Sequence, residues 1–177
     1  KKRFNIKISG IDYDAKYIFS ALGYNFLPSE ISAAFALEQL KKLPSNIKSR
    51  ISNFKRISNF FKNFSNYFKM PLTFKGVKTA WLAFPLLIIK NKKFSRRDLQ
   101  IFLEKNNIQT RTIFTGNILK QPVMKNKIYK VAKNAQTISN DVMRNGILIG
   151  CHQGLTSSDI KCIFKVFNKF AKIKNLW

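Results

Sequence analysis

Ile47, Ile51, Phe54, Ile57, Phe61, Phe64 and Phe68 recur at steps of three and four. That spacing returns every side chain to one face of an α-helix over about six turns. No other feature restricts the fold as much, because a stripe that long requires a core or a partner to cover it. Pro44-Ser45 is expected to end one helix and open this one, and Pro71 to end it in turn. Lys48, Arg50, Lys55, Arg56 and Lys62 fall on the remaining faces. Two readings follow: a connector helix with its stripe on a core, or a basic amphipathic helix lying on a membrane or nucleic acid. Structured segments on both sides favour the connector.

Before Pro44, Pro28 and Ser29 open a shorter helix with Ser29 as N-cap and Glu30 in its first turn. From Ile31 to Leu37 it is apolar nearly all round and rich in alanine, so it is expected to be buried at an interface, within the chain or between subunits. Downstream, "TAWLAFPLLII" (79–89) reads as a buried strand interrupted at Pro85. Ser95 caps "RRDLQIFLEKNN", which carries Leu99, Phe102 and Leu103 on one face. "IQTRTIF" (108–114) alternates as a strand does, and "TGN" is a turn. Residues 125–145 hold one or two polar helices, and "ILIGC" (147–151) is a short buried strand. Thr156 with Asp159 opens a last helix with Ile160, Ile163, Phe164, Phe167 and Phe170 or Ala171 as its stripe. Strands and helices alternate, as in a layered α/β or α+β unit with helices packed on one sheet.

Composition narrows the function. The formal charge is +25, from 33 Lys and Arg against 8 Asp and Glu. Such an excess points to anionic partners. Lys, Asn, Ile and Phe are overused together, however, as an AT-rich genome would produce, and the charge forms no block. Cys151 and Cys162 make neither a disulfide framework nor a closed metal site, which fits a reduced, cytoplasmic setting. No apolar run reaches the ~18 residues of a membrane span. The one histidine, His152, has no Ser-His-Asp grouping around it, and no phosphate-binding glycine motif occurs. Arg111 on a strand that leads to the Gly116-Asn117 turn is better suited to binding. A guanidinium is a permanent, planar fork for phosphate or carboxylate, and Asn117 and Gln121 can donate and accept.

Four strings together are specific: "YIFSALGYNFLPSEISAAFALEQLKKLP", "SRISNF", "TRTIFTGNILKQP" and "ILIGCHQGLTSSDI". They resemble the pyridoxal-phosphate-dependent sugar aminotransferase and dehydrase family of fold type I. The nearest likeness is to its lipopolysaccharide-biosynthesis branch of CDP-4-keto-6-deoxyglucose 3-dehydrases. The resemblance runs over essentially the whole chain. It implies an α/β, aspartate-aminotransferase-like protein of which this is the C-terminal portion. Residues 1–44 would end the large cofactor domain with an interface helix, 45–70 would be the connector helix, and 71–177 the small domain.

The same resemblance implies site residues. Asn25 would reach across a homodimer to the cofactor phosphate, with Gly23 and Tyr24 shaping its corner. Leu27 stands where many relatives have a cation, so a second phosphate contact there is not expected. Arg111, Asn117 and Gln121 would contact a nucleotide-sugar, and His152 and Gln153 sit on another loop facing the substrate. The cofactor would be pyridoxal or pyridoxamine phosphate, serving removal of the sugar C3 hydroxyl. The catalytic base, a His in dehydrases and a Lys in aminotransferases, would lie upstream, so no catalytic or metal residue is expected in this chain. Some members also carry an iron–sulfur cluster on upstream cysteines and work with an iron–sulfur/flavin reductase. A membrane role is not expected. A sugar aminotransferase and a basic nucleic-acid-binding module are the alternative readings. Without its large domain, the isolated chain is expected to aggregate or be partly molten.

Overall fold

In a computed structural model, residues 6–8, 10–14, 21–24, 26–89, 91–132 and 135–177 are described. By its internal contacts the chain divides into Lys1–Lys41 and Lys42–Trp177. In the first unit, β1 (Ile6–Ile8) pairs antiparallel with β2 (Ile11–Tyr13) around Gly10, whose φ of +81° is the left-handed conformation a tight turn needs.

One long helix, α1 (Glu30–Phe61), replaces the two expected from the sequence, and Pro44 lies inside it. A proline in a helix interior removes one intrahelical bond. Ser45 adds a local bond of its own, its hydroxyl donating to Lys42 O at 2.9 Å. The apolar stripe also outruns the helix. It passes through a 3-10 turn at Lys62–Phe64, and Phe68 falls on strand β3 (Phe68–Lys69). Asn63, Ser65 and Asn66 are turn formers and redirect the chain there, yet Phe64 and Phe68 remain buried.

The second unit is built on a four-stranded antiparallel sheet of order β3-β4-β6-β5. Its other strands are β4 (Ala83–Ile88), β5 (Thr110–Arg111) and β6 (Gly146–Gly150). Three more helices follow α1: α2 (Arg96–Lys105), α3 (Ala135–Asn145) and α4 (Ser157–Ile173). The Ser95–Asp98 and Thr156–Asp159 capping boxes both form, at the N-termini of α2 and α4.

Pro85 sits mid-strand without costing a ladder bond. It pairs with Leu148 of β6, and Cys151 N donates to Leu82 O, so even-numbered residues of β4 point their N–H groups at β6. Odd-numbered ones point the other way, as Ile89 N donating to Tyr67 O shows. β3 reaches only Leu87 and Ile88, so the N–H that Pro85 lacks would have met no strand.

One face of the sheet carries Phe84, Leu86, Ile88, Ile147 and Ile149, all buried, in a core with Ile57 and Phe61 of α1, Leu99 and Leu103 of α2, and Ile160, Phe167 and Phe170 of α4. Phe61 is its hub: its ring lies 4.7 Å from Phe167, edge-on at 85°, and 5.8 Å from Phe84, stacked at 18°. Aromatic pairs in these arrangements add to simple burial. From Phe54 to Phe61 the helical stripe is thus spent on the core.

Among the described residues, the segment expected to be buried is exposed. Ile31, Phe35, Leu37 and Leu40 of α1 are 82, 67, 62 and 61% exposed.

Candidate functional site

The site is built where β6 leaves the sheet. Gly150 ends the strand, Cys151 is buried, and residues 151–156 turn back into α4. α1 holds this loop from one side. Asn53, only 5% exposed, uses its Nδ2 to donate to His152 O at 3.0 Å and to Leu155 O at 3.3 Å. One turn away, Arg50 Nε donates to Gln153 Oε1 at 2.7 Å. Arg56 Nη1 donates to Ser157 Oγ at 3.2 Å. Positions 50, 53 and 56 advance by three residues along one flank of α1, as a helix must to present a row of side chains to one loop. The polar groups of the basic helix are therefore partly structural ties to the loop.

Beside the loop lies a cleft of about 660 Å3 at the short edge strand, with Leu82, Asn107, Arg111, Leu148, His152 and Asp159 in its walls. Arg111 is paired across the sheet with Leu148 and exposed, and its guanidinium has no hydrogen-bond or ion-pair partner among the described residues. Asp159 is turned to its own helix: Thr156 N and the Thr156 hydroxyl donate to its Oδ2 at 2.8 and 2.7 Å. Those bonds, from the side chain first, hold its carboxyl below the ordinary range. Among the described residues the cleft thus presents a guanidinium without a partner, suited to an anionic oxygen, and an ionised carboxylate that is bonded to its own helix and opposes one.

The other expected residues lie elsewhere. Asn25 is outside the described residues. Asn117 is 3% exposed, and its whole amide is used internally: Oδ1 accepts from Leu119 N at 3.0 Å and Nδ2 donates to Asn140 Oδ1 at 2.9 Å. Gln121 is half-buried, and its Nε2 donates to Thr115 O at 2.9 Å. Neither stands among the walls of the Arg111 cleft. They order the stretch after β5, whose strand is shorter than its alternation implied. Gly116, at φ +65°, lies so close to α3 that an added Cβ would sit 2.5 Å from Met143 Cβ. Phe114 also takes a positive φ, 44°, and is exposed.

Of the residues sequence reasoning singled out, the structure brings Arg111 and His152 together. It adds Asn53, to which sequence inspection gave no role. Its signals were a place in the string "SRISNF" and a polar side chain next to the buried face of an amphipathic helix.

A second cleft, about 890 Å3, runs between α1 and residues 70–81, with Phe54, Trp81, Phe74, Lys55, Lys62 and Lys78 in its walls. It is larger but contains none of the site residues. Among the described residues no group of three or more His, Cys, Asp or Glu could hold a metal, and no helix is long and apolar enough to cross a membrane.

Comparison with known proteins agrees with this architecture. Residues 1–168 match the DegT/DnrJ/EryC1/StrS aminotransferase family. The chain is 28% identical to the lipopolysaccharide biosynthesis protein RfbH of Salmonella typhimurium, over 96% of its own length and 39% of the relative's. It is 30% identical to a dTDP-4-dehydro-2,6-dideoxy-D-glucose 3-dehydratase of Saccharopolyspora spinosa, over 96% and 37%. Among solved structures, the E. coli GDP-4-keto-6-deoxy-D-mannose-3-dehydratase with bound hydrated PLP superposes with a TM-score of 0.72 at 31% identity, over 85% of this chain and 38% of that one. The chain thus spans less than two-fifths of the length of these relatives.

Proposed function

The chain belongs to the DegT/DnrJ/EryC1/StrS aminotransferase family, and from that premise we propose that it is the C-terminal portion of a nucleotide-sugar C3 dehydratase dependent on pyridoxal or pyridoxamine phosphate. Its product would be a 3-deoxy sugar precursor for lipopolysaccharide or a related glycan. One observation carries the reading: a match to the family through residue 168 joined to about one-third identity with proteins described as sugar 3-dehydratases. The cleft supports it. Arg111, unpaired on an edge strand, is a ready fork for the diphosphate of such a substrate.

No lysine lines the cleft to meet an aldehyde, and Asn25 is not described. When bound in its amino form, pyridoxamine phosphate, the cofactor would supply the amine that meets the ketone and an electron sink for deprotonation beside it. This chain's own part is to bind and orient the sugar nucleotide, and it is not catalytic alone. The exposed Ile31, Phe35, Leu37 and Leu40 face is the part we assign to the missing large domain and to a homodimer.

A sugar aminotransferase is the second reading, favoured by the family's own description. It would use the same cleft and differ in product. The test of the cleft is calorimetric titration of the folded chain, its Ile31, Phe35, Leu37 and Leu40 changed to Gln against self-association, with GDP, CDP and dTDP. Binding of one of them, weakened about tenfold or more in Arg111→Gln, is expected. Binding of none by a folded chain would overturn the reading.

A further inference from the structure

We propose that His152, held as its Nε2–H tautomer, is the hydrogen-bond donor with which the cleft meets an acceptor oxygen of its phosphate-bearing ligand, beside Arg111. The inference rests on the nucleotide-sugar reading of the cleft and adds a ligand-contacting residue to it.

Four observations carry it. First, the imidazole lines the same cleft as Arg111 and is exposed there. Second, Gly154 N donates to His152 Nδ1 at 3.2 Å. A nitrogen that accepts has no proton, so the neutral ring carries its proton on Nε2. Nε2 itself has no partner among the described residues. Third, Gly154 makes room for the ring: a Cβ there would stand 3.1 Å from Nδ1 and 3.4 Å from Cε1, whereas one at Gly150 would only be in ordinary contact, 3.6 Å from Cδ2 and 3.7 Å from Nε2. Any side chain at Gly154 would press the ring away from the N–H that fixes its tautomer. Fourth, the loop beneath the ring is fixed from behind: Asn53 holds the carbonyls of His152 and Leu155, and Arg50 holds Gln153.

These ties leave one ring atom able to do new bonding. Nδ1 is used, the backbone oxygen of His152 is used, and Nε2–H is free. A donor fixed on a braced loop loses little freedom when it binds, which is the condition for a specific contact. Thr156 bonds engage Oδ2 of the neighbouring Asp159, which leaves its Oδ1 as an acceptor on that wall that a ligand oxygen has to displace or share. A ligand oxygen between His152 and Arg111 would receive a neutral N–H from one side and a guanidinium from the other. A phosphate or sugar hydroxyl oxygen meets both requirements.

The chain has one histidine, so its imidazole is a single reporter. The experiment uses the full 177-residue chain with Ile31, Phe35, Leu37 and Leu40 changed to Gln against self-association and with ring-15N histidine, titrated with inorganic pyrophosphate. The neutral ring is expected to show a protonated Nε2 and a bare Nδ1, and pyrophosphate to move the Nε2 resonance. By calorimetry, His152→Leu is expected to weaken pyrophosphate binding about tenfold, and His152→Gln, whose amide nitrogen stands near Nε2, to stay within about threefold of the parent. A proton found on Nδ1 overturns the proposal. So does a glutamine variant as weak as the leucine one, which would mean the ring only packs. Arg111-dependent binding that leaves Nε2 unmoved overturns the histidine's role and leaves the cleft reading standing. Binding that needs His152 and ignores Arg111→Gln does the reverse. No pyrophosphate binding at all removes both.

Discussion

Asn53 offers the sharpest test of how α1 and the 151–156 loop are joined. Its amide nitrogen donates to two backbone carbonyls about a hundred residues away, at 3.0 and 3.3 Å, from a position 5% exposed to solvent. Asn53→Ala removes both bonds and leaves the two carbonyls without them. At about 1 kcal/mol net per bond, with a further share for desolvated acceptors left unpaired, the loss comes to about 2–3 kcal/mol. That is a large part of a native stability of ~5–15 kcal/mol. Asn53→Asp keeps the shape and reverses the polarity, setting a carboxylate against two carbonyl oxygens. Its cost at neutral pH should exceed that of alanine. The repulsion raises the folded-state pKa of the new carboxyl above its unfolded value. The protonated form therefore favours the fold, and the penalty should shrink as pH falls through the raised pKa and be full above it. Urea titrations followed by circular dichroism at pH 7 and pH 5 measure both effects. The background should have Ile31, Phe35, Leu37 and Leu40 changed to Gln, so that self-association does not intrude. An alanine variant within about 0.5 kcal/mol of its parent, or an aspartate variant less stable at pH 5 than at pH 7 relative to that parent, would refute the reasoning.

The same four exposed side chains carry a prediction of their own. The unaltered chain should self-associate in light scattering at micromolar concentration, and the Gln background should be monodisperse; equal behaviour would show that the face needs no cover. Burial pushes the Cys151 thiol up to about 11, while Cys162 is exposed. A disulfide reagent at neutral pH should therefore titrate one thiol per folded chain and the second only in denaturant. The capping carboxylates Asp98 and Asp159 both lie below their ordinary value of 3.8, held there first by the hydroxyl bonds of Ser95 and Thr156. A depressed folded pKa stabilises above the unfolded value and is lost as pH falls through the folded one. Acid unfolding should accordingly steepen below about pH 4, and the Asp98→Asn, Asp159→Asn pair should flatten that limb; an unchanged acid limb would contradict it.

Much of this fold was legible because its signals are local. Ser95 as a cap, and Thr156 with Asp159, announce helix starts by short-range hydrogen bonding, and both form as read, with Asp98 completing the first. The β4 and β6 runs are apolar enough to be strands in almost any context. What failed depended on partners or on small energy differences. Pro44 was read as a break, but α1 continues through it. The stripe to Phe68 was read as one helix, because a 3-10 turn and a strand can keep apolar residues facing one core after helical period ends. Asn117 and Gln121 illustrate the limit for sites. Their chemistry is versatile, and only coordinates reveal that their amides already bond to Leu119 N, Asn140 and Thr115 O. Arg111 differs because its fixed charge finds no internal partner among the described residues.

The central claim is that this chain supplies the sugar-nucleotide half of a C3 dehydratase, and a chimera tests it most directly. The 177-residue chain replaces the matching 38% of the E. coli GDP-4-keto-6-deoxy-D-mannose-3-dehydratase, the solved relative with which it superposes. The chimera is first shown to be folded and loaded with pyridoxamine phosphate by its absorbance, and is then given 4-keto-6-deoxy nucleotide sugars. The account predicts loss of the C3 hydroxyl from at least one of them, detected by mass spectrometry and reduced at least tenfold by Arg111→Gln. A folded, cofactor-loaded chimera that dehydrates none of them would contradict it.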